Sequence, residues 1–325
     1  MIHALPVLRL IKLHRPEAQV FWWLDSALRP LLEGDPDLAG IIPFERQRWG
    51  SPWHWGELWQ SLRALRAHRF DWVIDLQSLL RSGAFAWVAN GGFTVGLDDP
   101  REGAPALYDV AVPRPTPLTH AVDWYLRALA PLGVPAGESF TWLPERPVVA
   151  RGVREKWNLG NERWVTLQPG ARWENKRWPV THFIETTRMV AESFPEVRFA
   201  ILGSAGEREL GEAIARAVPG RCLNLVGGLS LLEMIEWLRL CAVMVSNDTG
   251  PMHVAAALGR PLVALFGPTE PRRTGPYGQL DRVLQFRPPC GPCMKSVCRA
   301  ENQLECLHHT TPETVAQRVM EMLGH

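Results

Sequence analysis

Four stretches of the chain set glycine or proline beside charged and hydroxyl side chains directly after a run of apolar residues. The first is VMVSNDTGPMHV, residues 243–254. Its apolar run ends at Ser246. Asp248 and Thr249 are residue types that cap a helix, Pro251 suits a first turn, and Gly250 lets a ligand approach the backbone. His253 follows one turn inside. A helix that opens at the end of a parallel strand offers its free N–H groups to a phosphate. An ordinary capped helix has the same signature, but His and Asp together at this turn favour binding. The second stretch is PGARWENKRWP, residues 169–179, where Lys176 stands between Arg172 and Arg177. The alternative is a solvated basic loop. Lysine occurs at only four positions, Lys12, Lys156, Lys176 and Lys295, in a chain that otherwise uses arginine. A compact ammonium at this point suits a diphosphate leaving group. The third is GPTEPRRTGPYG, residues 267–278, in which Thr269 could bond a phosphate or hydroxyl. The fourth, GSAGERE, has the spacing of neither the dinucleotide fingerprint nor the P-loop.

These loops need strands to end at them and helices to follow. In the first half, residues 19–24, 40–44, 72–76 and 92–97 read as strands. Residues 26–32, 55–67 and 120–132 read as helices, with Leu58, Trp59, Leu62 and Leu65 on one face of the second. From 143 to 162 the pattern lapses into Pro, Arg and Gly, which marks the boundary between a domain at 1–150 and one at 151–325. A second series follows. Strands are expected at 164–168, 198–202, 222–225, 242–246 and 261–266, and helices at 179–194, 209–217, 230–240, 250–258 and 311–323. Alternation of this kind predicts an α/β protein of two Rossmann-like domains with parallel sheets and a cleft between them.

Composition narrows the classes. The 325 residues carry a net charge of +1 and are 46% hydrophobic and 21% charged, a balance that excludes disorder and a basic nucleic-acid binder. Six cysteines in this length are no disulfide framework. The start MIHALPVLRLIKLHRP is interrupted by Arg9, Lys12 and Arg15, unlike a signal peptide, and no apolar run is long enough to span a bilayer. A cytoplasmic protein is expected, with contact at the cytoplasmic face of the inner membrane as a further expectation. Five of the 15 tryptophans, Trp49, Trp53, Trp55, Trp59 and Trp72, lie in residues 46–72, among Arg46, Arg48, Arg63, Arg66 and Arg69. This is either a membrane-facing surface or a helix with Trp59, Leu62 and Leu65 in the core.

Cys290, Cys293, Cys298 and Cys306, with His308 and His309 after them, hold two readings: a tetrahedral zinc site or reduced thiols packed in a loop. Cys222 and Cys241 read as core residues.

In this order the four motifs resemble those of the lipopolysaccharide heptosyltransferases, glycosyltransferase family 9. SNDTGPMHVAAALGRPLVALFGPTEPRRTGPYG is very similar to the family's nucleotide-sugar segment and PGARWENKRWP to its lysine loop. HALPVLRLIK, IDLQSLLRS, Arg101–Glu102 and HAVDWYLRAL extend the resemblance over nearly the whole chain. It implies the two-domain GT-B architecture and an inverting transfer of heptose from ADP-L-glycero-D-manno-heptose to the lipopolysaccharide inner core. Lys176 and the amides around Thr249 and Gly250 would hold the diphosphate, Asp248 the sugar hydroxyls, and His253 would support the loop. Arg81 and Arg101 would meet the anionic acceptor. No metal or other cofactor is implied. Two alternatives are a nucleotide-sugar-binding protein without turnover and a transferase of another nucleotide sugar; a nucleotide-sugar epimerase would not need acceptor-side arginines. Family members begin with a strand and a Gly-Asp before a segment like MIHALP. The resemblance therefore implies that Met1 is internal to a longer protein and that the expected base, this Asp, directly precedes it. In a chain complete as given, His3 is the substitute base.

Overall fold

The computed structural model describes residues 1–45, 48, 49 and 51–324. The chain divides into two compact units, Met1–Pro144 and Glu145–His325.

In the first unit a 3-10 turn, Ile2–Ala4, leads into α1 (Leu5–His14). The sequence reading placed no helix here, because apolar residues surround the axis without a clear polar face. Val7, Leu10 and Ile11 pack into the core with Val95, Val112, Ala128 and Leu129. Arg9 is buried and grips Asp35 through both terminal nitrogens (2.6 and 2.5 Å), Asp37 (2.7 Å) and the carbonyl of Trp142 (3.1 Å). This buried fork satisfies its charge with geometry that suits arginine alone.

The elements that follow are β1 (Phe21–Asp25), α2 (Arg29–Leu32), β2 (Gly40–Phe44), α3 (Trp55–Ala67), β3 (Trp72–Asp75), α4 (Leu80–Ala89), β4 (Phe93–Asp98), β5 (Val110–Pro113) and α5 (Ala121–Leu126). A 3-10 segment, Arg127–Leu132, continues α5 to Gly133, which ends it at φ 67°. All pairings are parallel. β1 pairs with β2, and β3, β4 and β5 form a separate sheet in that order. One expectation for α3 fails. Leu65 is buried and Leu58 and Leu62 are half-buried, but Trp59 is 65% exposed. A strip of three leucines suffices to seat this helix, and the indole lies on its water side.

The second unit opens with α6 (Pro147–Lys156), so residue 150, the sequence boundary, falls inside a helix. Pro147 at its first turn is compatible with a helix, which composition alone concealed. Then come β6 (Arg163–Gln168), α7 (Val180–Ser193), β7 (Val197–Ile201), α8 (Arg208–Ala215), β8 (Cys222–Asn224), α9 (Leu231–Leu240) and β9 (Cys241–Asn247). The series ends with α10 (Gly250–Ala257), β10 (Leu262–Phe266), α11 (Pro271–Thr274), β11 (Val283–Gln285), α12 (Glu305–His308) and α13 (Pro312–Leu323). The six strands are parallel in the order β11-β10-β9-β6-β7-β8. This is the doubly wound arrangement, and its strand order reverses between β6 and β9, where ligands of such sheets bind beyond the carboxyl ends. Val165, Leu167, Phe183, Phe199, Val243, Val245 and Val263 form its core with α13 residues Val315 and Val319.

Candidate functional site

Gln168 and Ser246 are paired in register at the ends of β6 and β9, so the loops after them start side by side. Asn247, fully buried, ties these loops together. Its Nδ2 donates to the Pro169 carbonyl (2.7 Å) and its Oδ1 accepts from the Trp178 backbone N–H (3.0 Å). The lysine loop is thus fastened at both ends to one side chain of β9. Asn247→Ala would strand two buried backbone groups, costing about 1–3 kcal/mol. Its unfolding temperature should fall accordingly, and an unchanged unfolding temperature would show that the staple does not hold the two loops.

Within this frame Lys176, at the end of the 3-10 turn Glu174–Lys176, places Nζ 2.6 Å from Asp248 Oδ2 and 4.7 Å from the centre of the Trp173 ring. Thr269, from the loop after β10, donates to the same Asp248 oxygen at 2.7 Å. Lys176 and Thr269, from two other motifs, therefore meet on the Asp248 carboxylate at the switch point of the sheet. Thr249 is the residue before α10, in extended conformation, and its side chain makes no cap hydrogen bond to the helix amides; the hydroxyl lies 3.2 Å from that of Ser246. Gly250 is exposed, and a Cβ there would meet no atom within 4 Å. His253 sits half-buried in the first turn of α10. Arg177 donates to the Ala171 carbonyl (2.9 Å) and braces the loop.

Neighbouring motifs prove to be supports. In GSAGERE, Ser204 and Glu207 form a capping box, with Glu207 accepting from the Ser204 N–H at 2.7 Å. Gly170 abuts that carboxylate: a Cβ would fall 1.9 Å from Glu207 Oε1, so the glycine lets the two loops touch. In GPTEP, Glu270 is buried and caps α11; it binds Arg272 at 2.8 Å and Arg287 at 3.1 Å. The hydrogen bonds from Arg272, then the charge of Arg287, hold this carboxyl down at about 2. Its folded value lies below the ordinary 4.5, so the stabilisation is complete above 4.5 and is lost as pH falls towards 2. Glu270→Gln should be less stable than the parent near neutrality, and the gap should close over that acid range. A gap that persists unchanged to the acid end in paired unfolding titrations would refute this.

In the first unit, Asp75 at the end of β3 is buried and accepts from the N–H groups of Gln77 (2.8 Å) and Ser78 (3.2 Å) and from the Tyr108 hydroxyl (2.7 Å). Burial, then the Asp75 charge, pushes the Tyr108 phenol well up, so it stays a donor. Gly96 gives the ring its place, since a Cβ there would lie 2.1 Å from it. The loop so fixed feeds α4, whose second residue is Arg81, exposed and stacked 5.3 Å over Phe44. Glu102 accepts from the Leu80 N–H at 2.9 Å. That bond fastens the turn carrying Arg101 to the start of the helix carrying Arg81. Arg101 is itself paired with Asp99 at 2.7 Å, its side chain 74% exposed. His3, half-buried in the opening turn, meets His120 edge-on at 5.2 Å; His120 caps α5 by accepting the Val122 N–H at Nδ1 (3.2 Å). Asn247, Glu270, Asp75, Tyr108 and Glu102 were not singled out in the sequence. Asn247, Glu270, Asp75 and Glu102 lay within stretches already quoted, and Tyr108 lay outside them.

The four clustered cysteines, Cys290, Cys293, Cys298 and Cys306, line one small cavity with Asn175 and Pro268, and all six cysteines are free thiols. Burial, then the three neighbouring thiols, pushes Cys306 up to about 11. Burial likewise raises Cys222 to about 11 and Cys241 to about 12. Among the described residues no group of His, Cys, Asp or Glu side chains is disposed to hold a metal ion. His309 stacks on Phe286 at 4.1 Å and His308 faces His182 at 6.2 Å.

Residues 58–304, most of both units, match the family described as glycosyltransferase family 9 (heptosyltransferase). The chain belongs to that family. It is a glycosyltransferase, and its two Rossmann-like units are those of the GT-B architecture. The lipopolysaccharide heptosyltransferase 1 of Pseudomonas aeruginosa is 29% identical over 99% of this chain and 94% of its own length. The lipopolysaccharide heptosyltransferase 2 of Salmonella typhimurium is 29% identical over 86% of this chain and 82% of its own. Among solved structures, the ADP-heptose lipopolysaccharide heptosyltransferase II of E. coli superposes with a TM-score of 0.77 at 25% identity, covering 99% of this chain and 95% of that one. The E. coli heptosyltransferase WaaC, solved with ADP, shares the fold at a TM-score of 0.74 and 24% identity, over 99% and 95% of the two chains. No helix among the described residues of this family 9 enzyme is long and apolar enough to cross a membrane.

Proposed function

We propose that this enzyme transfers heptose from ADP-L-glycero-D-manno-heptose to the inner core of lipopolysaccharide, with inversion at the anomeric carbon. The observation that carries the reading is the convergence of Lys176, Asp248 and Thr269 beside the start of α10. The named relatives act in lipopolysaccharide heptose transfer, and one was solved with ADP. In the reaction an acceptor hydroxyl oxygen attacks the anomeric carbon as its bond to the β-phosphate oxygen breaks. Negative charge grows on the departing ADP. Lys176 Nζ and the backbone N–H groups around Thr249 and Gly250 stabilise it there, where the helix dipole has its positive end. Both contacts to Asp248 fall on Oδ2, which leaves Oδ1 to address sugar hydroxyls. His253 backs the turn. Arg81 and Arg101 receive the anionic acceptor, with Glu102 holding their two elements together. A base on the acceptor side takes the hydroxyl proton; among the described residues the candidate is His3, set against His120 in the opening turn. No cofactor enters these steps.

The reading is tested by incubating the enzyme with ADP-heptose and lipopolysaccharide that lacks heptose. Release of ADP together with a product one heptose heavier supports it. Product formed from another nucleotide sugar alone would move the donor assignment, and donor binding with no product would favour a binding role.

A further inference from the structure

We infer that the water side of α3 and the turn before it are a docking face for an anionic phospholipid bilayer. The 3-10 turn Pro52–His54 presents Trp53 at 92% exposure, and α3 presents Trp55 at 57% and Trp59 at 65%. Trp55, Trp59, Arg63 and Arg66 succeed one another at spacings of four, four and three, so they form one stripe on the helix, and both arginines are exposed. Leu65 is buried from a different side of the same helix. Three large indoles in water gain nothing for the fold, and their clustering sets them apart from scattered surface apolar residues.

The chemistry of the stripe selects its occupant. Indole combines an apolar body with an N–H donor and favours the boundary between acyl chains and headgroups. Guanidinium beside it pairs with phosphate. The acid on this helix, Glu57, is already neutralised by Arg48 at 2.7 Å and lies 3.2 Å from His54 Nδ1. Arg63 and Arg66 take part in no ion pair among the described residues. The face is therefore cationic and aromatic, complementary to an anionic lipid surface. The choice of a bilayer over another protein rests on this pairing of exposed indoles with guanidinium groups unpaired among the described residues and on the lipid-borne acceptor of the proposed function.

Flotation with vesicles of phosphatidylcholine, with and without phosphatidylglycerol, tests this without any substrate. The parent enzyme should float with the anionic vesicles and much less with the neutral ones. Arg63→Glu with Arg66→Glu should weaken anionic partition by at least about twenty-fold at low salt. Trp53→Ser, Trp55→Ser and Trp59→Ser together should weaken it by about tenfold or more. Both variants should keep the parent's ADP affinity and its rate on a soluble, deacylated acceptor, which reports that they are folded. Equal flotation of parent and variants, or no flotation of the parent, would overturn the proposal. A parent that sediments as a dimer, does not float, and becomes monomeric in the tryptophan variant would assign the face to a second copy and overturn it too. Flotation as expected in an enzyme that transfers no heptose would remove the proposed donor or acceptor and leave the docking face standing.

Discussion

Lys176→Ala is expected to lower the affinity for ADP by about tenfold to a hundredfold, the worth of one charge-assisted contact of about 1.5–3 kcal/mol. Transfer should slow at least as much, because the charge that the lysine meets increases as the leaving group departs. The structure adds a second consequence. Lys176 is the cation paired with Asp248, whose side chain is only 6% exposed. Removing it leaves that carboxylate with the Thr269 hydroxyl and costs stability as well, about 1–3 kcal/mol. The two effects separate in the double variant Lys176→Ala, Asp248→Asn. An uncharged amide restores much of the stability and none of the phosphate affinity. Lys176→Arg should also be impaired, since a planar fork cannot occupy the single point between Asp248 at 2.6 Å and the Trp173 ring at 4.7 Å. Calorimetry that finds ADP affinity unchanged in Lys176→Ala would remove the residue from the donor site.

The acceptor side should respond in a different kinetic constant. Arg81→Ala and Arg101→Ala are each expected to raise the acceptor KM about tenfold or more and to leave donor binding unchanged. Arg81 is stacked on Phe44 and has no ion pair among the described residues, so its charge is available to a ligand. Arg101 is held by Asp99, whose carboxylate stabilises its charge and orients the guanidinium. An anionic acceptor would compete with Asp99 for it, and Asp99→Asn should lower the acceptor KM. Rising salt should weaken acceptor binding in the parent more than in either arginine variant. Acceptor kinetics that match the parent in both would reduce these two residues to surface arginines, and the case for an anionic acceptor would lose its residues.

What was legible along the chain was local. Apolar runs punctuated by Gly, Pro and Ser located β6, β9 and β10, because a strand buried on both faces is apolar along most of its length, and β2 carries such a run although only Phe44 of it is buried. Ser230 and Glu233 stand three residues apart, the spacing of a capping box, and the structure closes that box at the start of α9. The motif loops were legible for the same reason: backbone that must turn at a strand end uses the same few residue types. Helices without a polar face or with proline-rich starts, α1 and α6, were concealed, since their seats are made by distant elements, β4 and β5 for α1 and α9 for α6.

The site itself was decided by tertiary structure. Nothing near Lys176 in sequence says that it meets Asp248, 72 positions away, or that Thr269 shares the same oxygen. Asn247 reads as one more polar residue in a turn until the sheet order β10-β9-β6 sets it between two loops. Glu102 and Leu80 meet only because β3 and β4 lie side by side. The exposure of Trp59 follows the same logic: periodicity puts it near the leucine face, but how wide a face α3 buries depends on what it packs against. Sequence carries the interactions of a residue with its neighbours within about a turn, whereas which two loops share a carboxylate follows from strand order, and that is settled by the packing of the whole sheet.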